Sequence, residues 1–375
     1  MTQSVLRLSY NFLILLLSLT ISVRAQVLTD ASVQQTVVKA LDAIYGQDFA
    51  EATTLIRQLQ TRYPQHPIGS ILRATLLEQQ YVPIEQNPTA AGQYVQAANQ
   101  GLELAKKMLE RNENDPEAVL FALTAHSYLA LLYNNKSESL KAVGESKKSY
   151  SYLKQGFSMM DQSPDFFLTT GLYNYYVERY PIDHAVVRPF MFFFQDGDMQ
   201  QGLKQMDVAS RKGILMRAGA NYYLAHIYLK HEINPQKAAS YSKYLVEKYP
   251  ANPLYGMRHA EALLLAGRYS EAKPYVQRLK QQSNKLLPMA VLVFDGILDE
   301  QADQDDKAAS ASYQAALKLP FNEAYTKEYH AMAYAGLARI AARANNRDLA
   351  KAYYKKALSI GAYKSLLKET KAYNQ

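Results

Sequence analysis

The chain has 375 residues, 48% of them hydrophobic, with 30 tyrosines, no tryptophan, no cysteine and a formal net charge of +8. Without cysteine, no disulfide, thiolate metal site, cysteine nucleophile or cysteine-linked lipid anchor is expected. The positive charge is scattered, with no run of five or six like residues, so a nucleic-acid-binding tail is excluded and only weak attraction to anionic surfaces is supported.

Residues 1–25 read as a secretory signal peptide. Arg7 gives a basic start, residues 12–21 (FLILLLSLTI) a short apolar run, and Val23-Arg24-Ala25 small residues at −3 and −1 before Gln26. The apolar run is about half of the ~20 residues that span a bilayer. The mature chain is therefore expected to carry no transmembrane anchor and to be periplasmic or secreted. Losing Arg7 and Arg24 with the leader takes the charge from +8 to +6. A remaining chain of about 350 residues can bury enough apolar surface to fold without disulfides.

From Gln26 onward Ala, Leu, Lys, Gln and Tyr dominate, and Gly and Pro fall between apolar-periodic stretches. No segment keeps a period of two with β-branched residues, so the chain is expected to be all-α with no significant sheet. Residues 26–180 read as irregular helical repeats. Gly46, Ala52 and Pro64 mark the turn, small-contact and closing positions of one hairpin, and Ala105 and Pro116 suggest another. Residues 134–145 (NNKSESLKAVGE) read as a polar loop, within which Asn135-Lys136-Ser137 is a glycosylation sequon.

Residues 181–198, with Pro181 and Pro189, read as an irregular joint. Its Phe190-Met191-Phe192-Phe193-Phe194 run is expected to form a short helix begun at Pro189 and buried in the core, the alternative being an exposed docking patch.

Residues 199–375 read as regular repeats. Gly197, Gly202 and Ala209 match a turn and return helix. Leu224, Ala225 and Tyr228 lie on one face of the next helix. The chain breaks at Ile233-Asn234-Pro235, returns at Ala238 and closes at Pro250. Ala260, Gly267 and Ala272 repeat the pattern, Ala272 standing 34 residues after Ala238. Ala309, Tyr313, Ala316 and Pro320 fit another return helix. Tyr334, Leu337, Ala338, Ala341, Ala350, Tyr354 and Ala357 form the last hairpin around Asn345-Asn346.

A 34-residue period belongs to stacked helical hairpins. Two helices approach to ~8–10 Å only where small side chains face each other, and a closing proline ends the second helix. The quoted positions resemble the tetratricopeptide repeat family. The resemblance touches most of residues 35–360 and is tightest over 218–282 and 329–360. It implies a tetratricopeptide-like α-solenoid, a right-handed superhelix of antiparallel helix pairs, with roughly seven to nine hairpins.

No catalytic residue, metal or cofactor is expected. Asp183-His184 has no neighbouring nucleophile, and there is no Gly-x-Ser-x-Gly or His-Glu-x-x-His. The Gly197–Gly202 stretch lacks the strand before it and the Gly-Lys-Ser/Thr after it that a phosphate loop needs. Asp299, Asp303, Asp305 and Asp306 lack the glycine and the bidentate glutamate of a calcium loop.

The resemblance implies a concave face lined by first-helix residues that packing does not use. These are Tyr175, Tyr176, Tyr222, His226 and Lys230, with Arg339 and Arg343 in the last repeat. Such a lining suits an extended peptide with acidic groups or a free carboxylate. The remaining tyrosines read as large groove fillers with the hydroxyl at the solvent edge. The expected function is a non-enzymatic exported scaffold that binds protein or peptide partners, not nucleic acid. The alternative is a cell-envelope accessory that binds a glycan or an outer-membrane component.

Overall fold

In the computed structural model, which describes residues 30–183, 188, 191–192 and 194–373, seventeen α-helices follow one another and no strand occurs among the described residues. The signal-like leader lies outside them. Helices α1 (Ala31–Tyr45) and α2 (Phe49–Arg62) form the first hairpin. Helices α3 (Ile68–Gln80) and α4 (Pro88–Leu109) form the second, joined through a short 3-10 turn at Ile84–Gln86. The stack continues with α5 (Pro116–Asn135) and α6 (Ser139–Gly156), α7 (Phe166–Asp183) and α8 (Met199–Lys212), then α9 (Arg217–Lys230) and α10 (Pro235–Lys248). It ends with α11 (Pro253–Leu265) and α12 (Tyr269–Lys280), α13 (Leu287–Gln301) and α14 (Asp306–Ala316), α15 (Lys327–Arg343) and α16 (Arg347–Ile360), and a terminal α17 (Lys364–Tyr373). This is a tetratricopeptide-like α-solenoid of eight hairpins and a last helix.

Six of the hairpins share one turn. A single residue in each takes the left-handed conformation: Gln47 (φ 68°), Ser137 (60°), Ile233 (49°), Gly267 (72°), Gln304 (55°) and Asn345 (57°). The next N–H then reaches back to a carbonyl of the finished helix, from Asp48 to Ala43, Arg268 to Leu263 and Asn346 to Ala341, each at 2.9 Å. That bond satisfies a carbonyl the helix end would leave bare. The same residue caps the following helix where it is Asp or Asn, as Asp48, Asn234, Asp305 and Asn346 do. Only Gly267 adopts the turn without a Cβ penalty.

Small residues bring the helices together. Ala225, Ala238, Ala260, Ala272, Ala338, Ala350 and Ala357 are all fully buried, and Pro250 follows the end of α10. At the α7–α8 crossing both partners are glycine. A Cβ on Gly202 would stand 2.6 Å from the Gly171 carbonyl oxygen.

Residues 181–198 fall inside a hairpin. Helix α7 runs through Pro181 to Asp183, and α8 packs back along it. One hydrophobic core spans Val33 to Leu215 and a second Leu168 to Leu366, so the two overlap across this segment. The buried reading of the phenylalanine run is corrected. Phe192 is 75% and Phe194 40% exposed, while Phe190 and Phe193 lie outside the described residues. Instead Phe194 rests edge-on against Tyr150 at 5.3 Å, on the outside of α6. The loop expected at 134–145 shrinks to residues 136–138, because its polar residues extend α5 and start α6.

The stack bends back on itself. Asp42, in the last turn of α1, accepts hydrogen bonds from the Tyr249 hydroxyl (2.7 Å) and Lys248 Nζ (2.8 Å) at the end of α10. Asn252, the N-cap of α11, donates from Nδ2 to the Tyr45 carbonyl (3.0 Å). The Tyr45 ring lies 5.5 Å from Tyr249 and 6.1 Å from Tyr255. These partners are 207 residues apart in sequence. The first helix therefore closes the inner side of the solenoid against its middle.

Candidate functional site

The inner side of this closed stack gathers tyrosines around one carboxyl group. Thr75 and Glu78 sit one turn apart on α3, hence on the same face. Thr75 Oγ1 lies 2.9 Å from the Tyr128 hydroxyl of α5, and Tyr128 stacks on Tyr94 of α4 at 5.8 Å. From the opposite wall come Tyr255 of α11 and Tyr222 of α9, 6.1 Å apart, with Tyr223 6.1 Å beyond Tyr222. The Glu78 charge reaches the phenols of Tyr45, Tyr94, Tyr128, Tyr223, Tyr255 and Tyr325 and helps raise each pKa, with burial as the largest cause in every case. Glu78 itself is half-buried, and burial pushes its pKa up to about 7.

A second zone continues along α9. Tyr222, His226 and Lys230 follow one another at one-turn spacing and are all half-buried. Arg258 of α11 lies over the Tyr222 ring at 5.4 Å. It donates to Glu261 (2.7 Å), to the Tyr363 hydroxyl (2.8 Å) and weakly to the Tyr222 hydroxyl (3.4 Å). Tyr363 in turn donates to Glu261 at 2.7 Å. Arg258 Nε is buried without a hydrogen-bond partner. Burial, then the positive charges of Arg258 and Lys230, holds the His226 pKa well below its usual range, so this histidine is neutral at pH 7. Lys230 acts on Glu328 and His231 but makes no hydrogen bond or ion pair among the described residues.

The residues named from sequence thus part company. Tyr176, Tyr222, His226 and Lys230 share the inner face, Tyr176 being the electrostatic neighbour of Tyr223 and Arg258. Tyr175 is fully buried and spends its hydroxyl on Glu232 at 2.5 Å, so it is a core residue. Arg339 and Arg343 are also corrected. Both bind the fully buried carboxylate of Glu300, Arg339 through two bonds of 2.8 and 2.6 Å. Arg339 reaches Glu369 (3.0 Å) and Arg343 reaches Asp306 (2.5 Å) as well. Although burial works the other way, Arg339, Tyr313 and Arg343 hold the Glu300 pKa below the usual carboxylate range. This network ties α13, α14, α15 and α17 together and leaves neither guanidinium free for an acidic ligand.

Glu78 and Arg258 escaped the sequence reading. Glu78 opens the polar EQQ end of α3, and only the fold brings tyrosines from other helices near it.

Among the described residues no three His, Asp or Glu side chains converge as a metal site, and no helix is long and apolar enough to cross a membrane. No protein-family model matches the sequence, and no curated protein matches it. Among solved structures the chain is similar to yeast Tom70 (12% identity, 94% of this chain and 76% of that one, TM-score 0.39). It is also similar to the C-terminal part of a TPR repeat-containing protein from Cytophaga hutchinsonii (12% identity, 72% and 94%, TM-score 0.37). A tetratricopeptide repeat protein from Parabacteroides merdae gives 14% identity, 80% and 97% coverage and a TM-score of 0.33.

Proposed function

We propose that the protein is a non-enzymatic scaffold, working outside the cytoplasm, that holds an extended peptide segment of a partner protein against the inner face of α9. The observation that carries this reading is the line of unspent polar groups on that face. Among the described residues Lys230 has no ion-pair partner, His226 is neutral with no hydrogen bond, and the buried Arg258 Nε lacks an acceptor. A buried donor without a partner costs about 1–3 kcal/mol, and a ligand carbonyl or carboxylate would recover that loss. The rigid helices around it supply preorganisation, so little ordering is needed on binding.

The chemistry of the face favours holding over turnover. The Glu261 carboxylate is saturated by Arg258, Tyr329 and Tyr363. Glu78, a carboxyl whose pKa burial raises to about 7, has no hydrogen-bonded nucleophile or base beside it among the described residues. Export rests on the leader pattern of residues 1–25.

Photo-crosslinking in the native compartment tests the reading. A benzophenone amino acid placed at Tyr222 should capture a discrete partner, and Lys230→Ala should abolish the adduct. The same probe at Lys243, on the outer surface of α10, should not capture it. Equal capture from both positions, or persistence in Lys230→Ala, overturns the inner-face assignment.

A further inference from the structure

We propose that the tyrosine-lined chamber around Glu78 is a binding site for an alkylammonium group. The proposal rests on the inner face being the ligand-binding face, and it specifies what one end of that face recognises. Six tyrosines from five helices and the connection before α15 lie within electrostatic reach of one carboxyl group, Glu78, whose neighbour Gln79 is 3.5 Å from Asn252 Nδ2 of the opposite wall and whose neighbour on the same face, Thr75, bonds Tyr128, and no cation pairs with Glu78 among the described residues. Arg258 is coupled to Tyr363, Glu261 and Tyr222 rather than to Glu78. No hydrogen bond or ion pair joins Glu78 among the described residues. A second carboxyl group points the same way. Glu85, on the 3-10 turn beyond α3, keeps Oε2 buried without a partner, and its charge acts with that of Glu78 on Tyr325.

The chamber therefore offers negative charge and the electron-rich faces of aromatic rings, with nothing positive to complement them. Ring faces attract cations, and desolvation strengthens the attraction. Five of the six phenols, all but Tyr128, have no hydroxyl partner among the described residues. They leave acceptor oxygens for N–H donors. A metal ion is the poorer fit, because calcium takes six to eight oxygen ligands and no cluster of three metal-binding side chains forms among the described residues. An alkylammonium group needs one carboxylate, several ring faces and a few acceptors, which is this inventory.

The protonation of Glu78 makes the site testable by pH. The groups facing it are Tyr45 (α1), Tyr94 (α4), Tyr128 (α5), Tyr223 (α9), Tyr255 (α11), Tyr325 and, through Tyr325, Glu85. All six phenols stay neutral through pH 8, so the charge that changes near pH 7 is that of Glu78, with Glu85, also raised by burial, beside it.

The experiment is a ligand-observed NMR titration of the full chain with n-butylammonium and with n-butanol, which share a carbon chain and differ in charge. At pH about 8 the cation should bind roughly tenfold or more tightly than the alcohol, consistent with one charge-assisted contact plus ring contacts. Lowering the pH to about 6 should weaken the cation severalfold and leave the alcohol unchanged. Glu78→Gln, which keeps size and shape, should erase the preference. Tyr325→Leu, outside any helix, should reduce it severalfold without disturbing the stack. An acetylated Gly-Lys-Gly amide compared with n-butylammonium locates the source. Tighter peptide binding assigns the site to a partner's lysine, tighter amine binding to a small free amine, and both uphold the chamber. Equal binding of cation and alcohol, or a preference surviving Glu78→Gln, overturns it. If the preference holds while crosslinking from Tyr222 fails, the partner reading falls and the chamber stands. If crosslinking succeeds without any cation preference, the chamber alone falls.

Discussion

Replacing Glu78 with glutamine should remove a pH dependence opposite to that of most carboxylates. Burial raises the folded-state pKa of Glu78 from 4.5 to about 7. The folded chain thus holds a proton that the unfolded chain gives up near 4.5. The resulting stability is fully present at acidic pH and is lost as pH rises through about 7. The gap corresponds to roughly 3 kcal/mol at most. Solvent reaches this half-buried side chain, which reduces the working range to about 1–3 kcal/mol. For a chain of this size 1 kcal/mol shifts Tm by about 1–2 °C. Thermal unfolding followed by circular dichroism, at about pH 5 and about pH 8.5, reads the effect in wild type and Glu78→Gln. Other titrating groups act in both proteins and cancel in the comparison. Wild type should lose about 2–4 °C more than the variant over that interval. Parallel profiles would place the Glu78 carboxyl in an ordinary aqueous setting and refute the argument.

Gly336→Ala should destabilise the fold by about 2 kcal/mol despite the better helix former, because overpacking outweighs propensity. Its Cβ would stand 2.2 Å from the Tyr313 ring, which is fully buried against Gly296 on its other edge and tied to Glu300 at 2.8 Å. Gly92→Ala on α4, where a Cβ meets nothing within 4 Å, should instead stabilise by about 0.5–1 kcal/mol, both variants being read by urea titration against wild type. Ile233→Gly should stabilise by about 1 kcal/mol, since an exposed β-branched residue now occupies a left-handed turn at φ 49°; an unchanged midpoint would remove strain from the account of that turn. Asp165→Ala should cost about 2–4 kcal/mol and speed hydrogen exchange at residues 214–216. The buried Asp165 Oδ1 accepts the backbone N–H groups of Ile214 (2.8 Å), Leu215 (3.0 Å) and Met216 (3.0 Å), and Asp165→Asn, keeping an acceptor, should be milder.

What could be read in the sequence was what neighbours decide. Ala238, Ala272 and Ala350 mark close helix crossings because the residues that need them small are a helix away, and their spacing survives in the chain. The shared turn was only half visible. Gly267 announces it, but Gln47, Ser137, Ile233 and Gln304 adopt the same backbone through context rather than residue type. Arg339 and Arg343 read as groove cations because Glu300, 39 and 43 residues upstream, gives no local sign of pairing with them. Tyr175 is next to Tyr176 on the same helix, but one residue's rotation buries it and its hydroxyl goes to Glu232, 57 residues on. Glu78 was the hardest to see. Its surroundings come from both halves of the chain, and no window of contiguous residues contains them.

The bond between Asp42 and Tyr249 sets an order of events for the newborn chain. Most repeats touch only what was made just before them, so each can settle as it is completed. The seam cannot: its second half emerges 207 residues after its first. Shutting the ring is consequently a late step, with a large loop to close and few contacts to reward it. The tyrosine cluster around Glu78 also needs Tyr325, so the site proposed there belongs to the finished molecule and to no fragment of it that ends before α15.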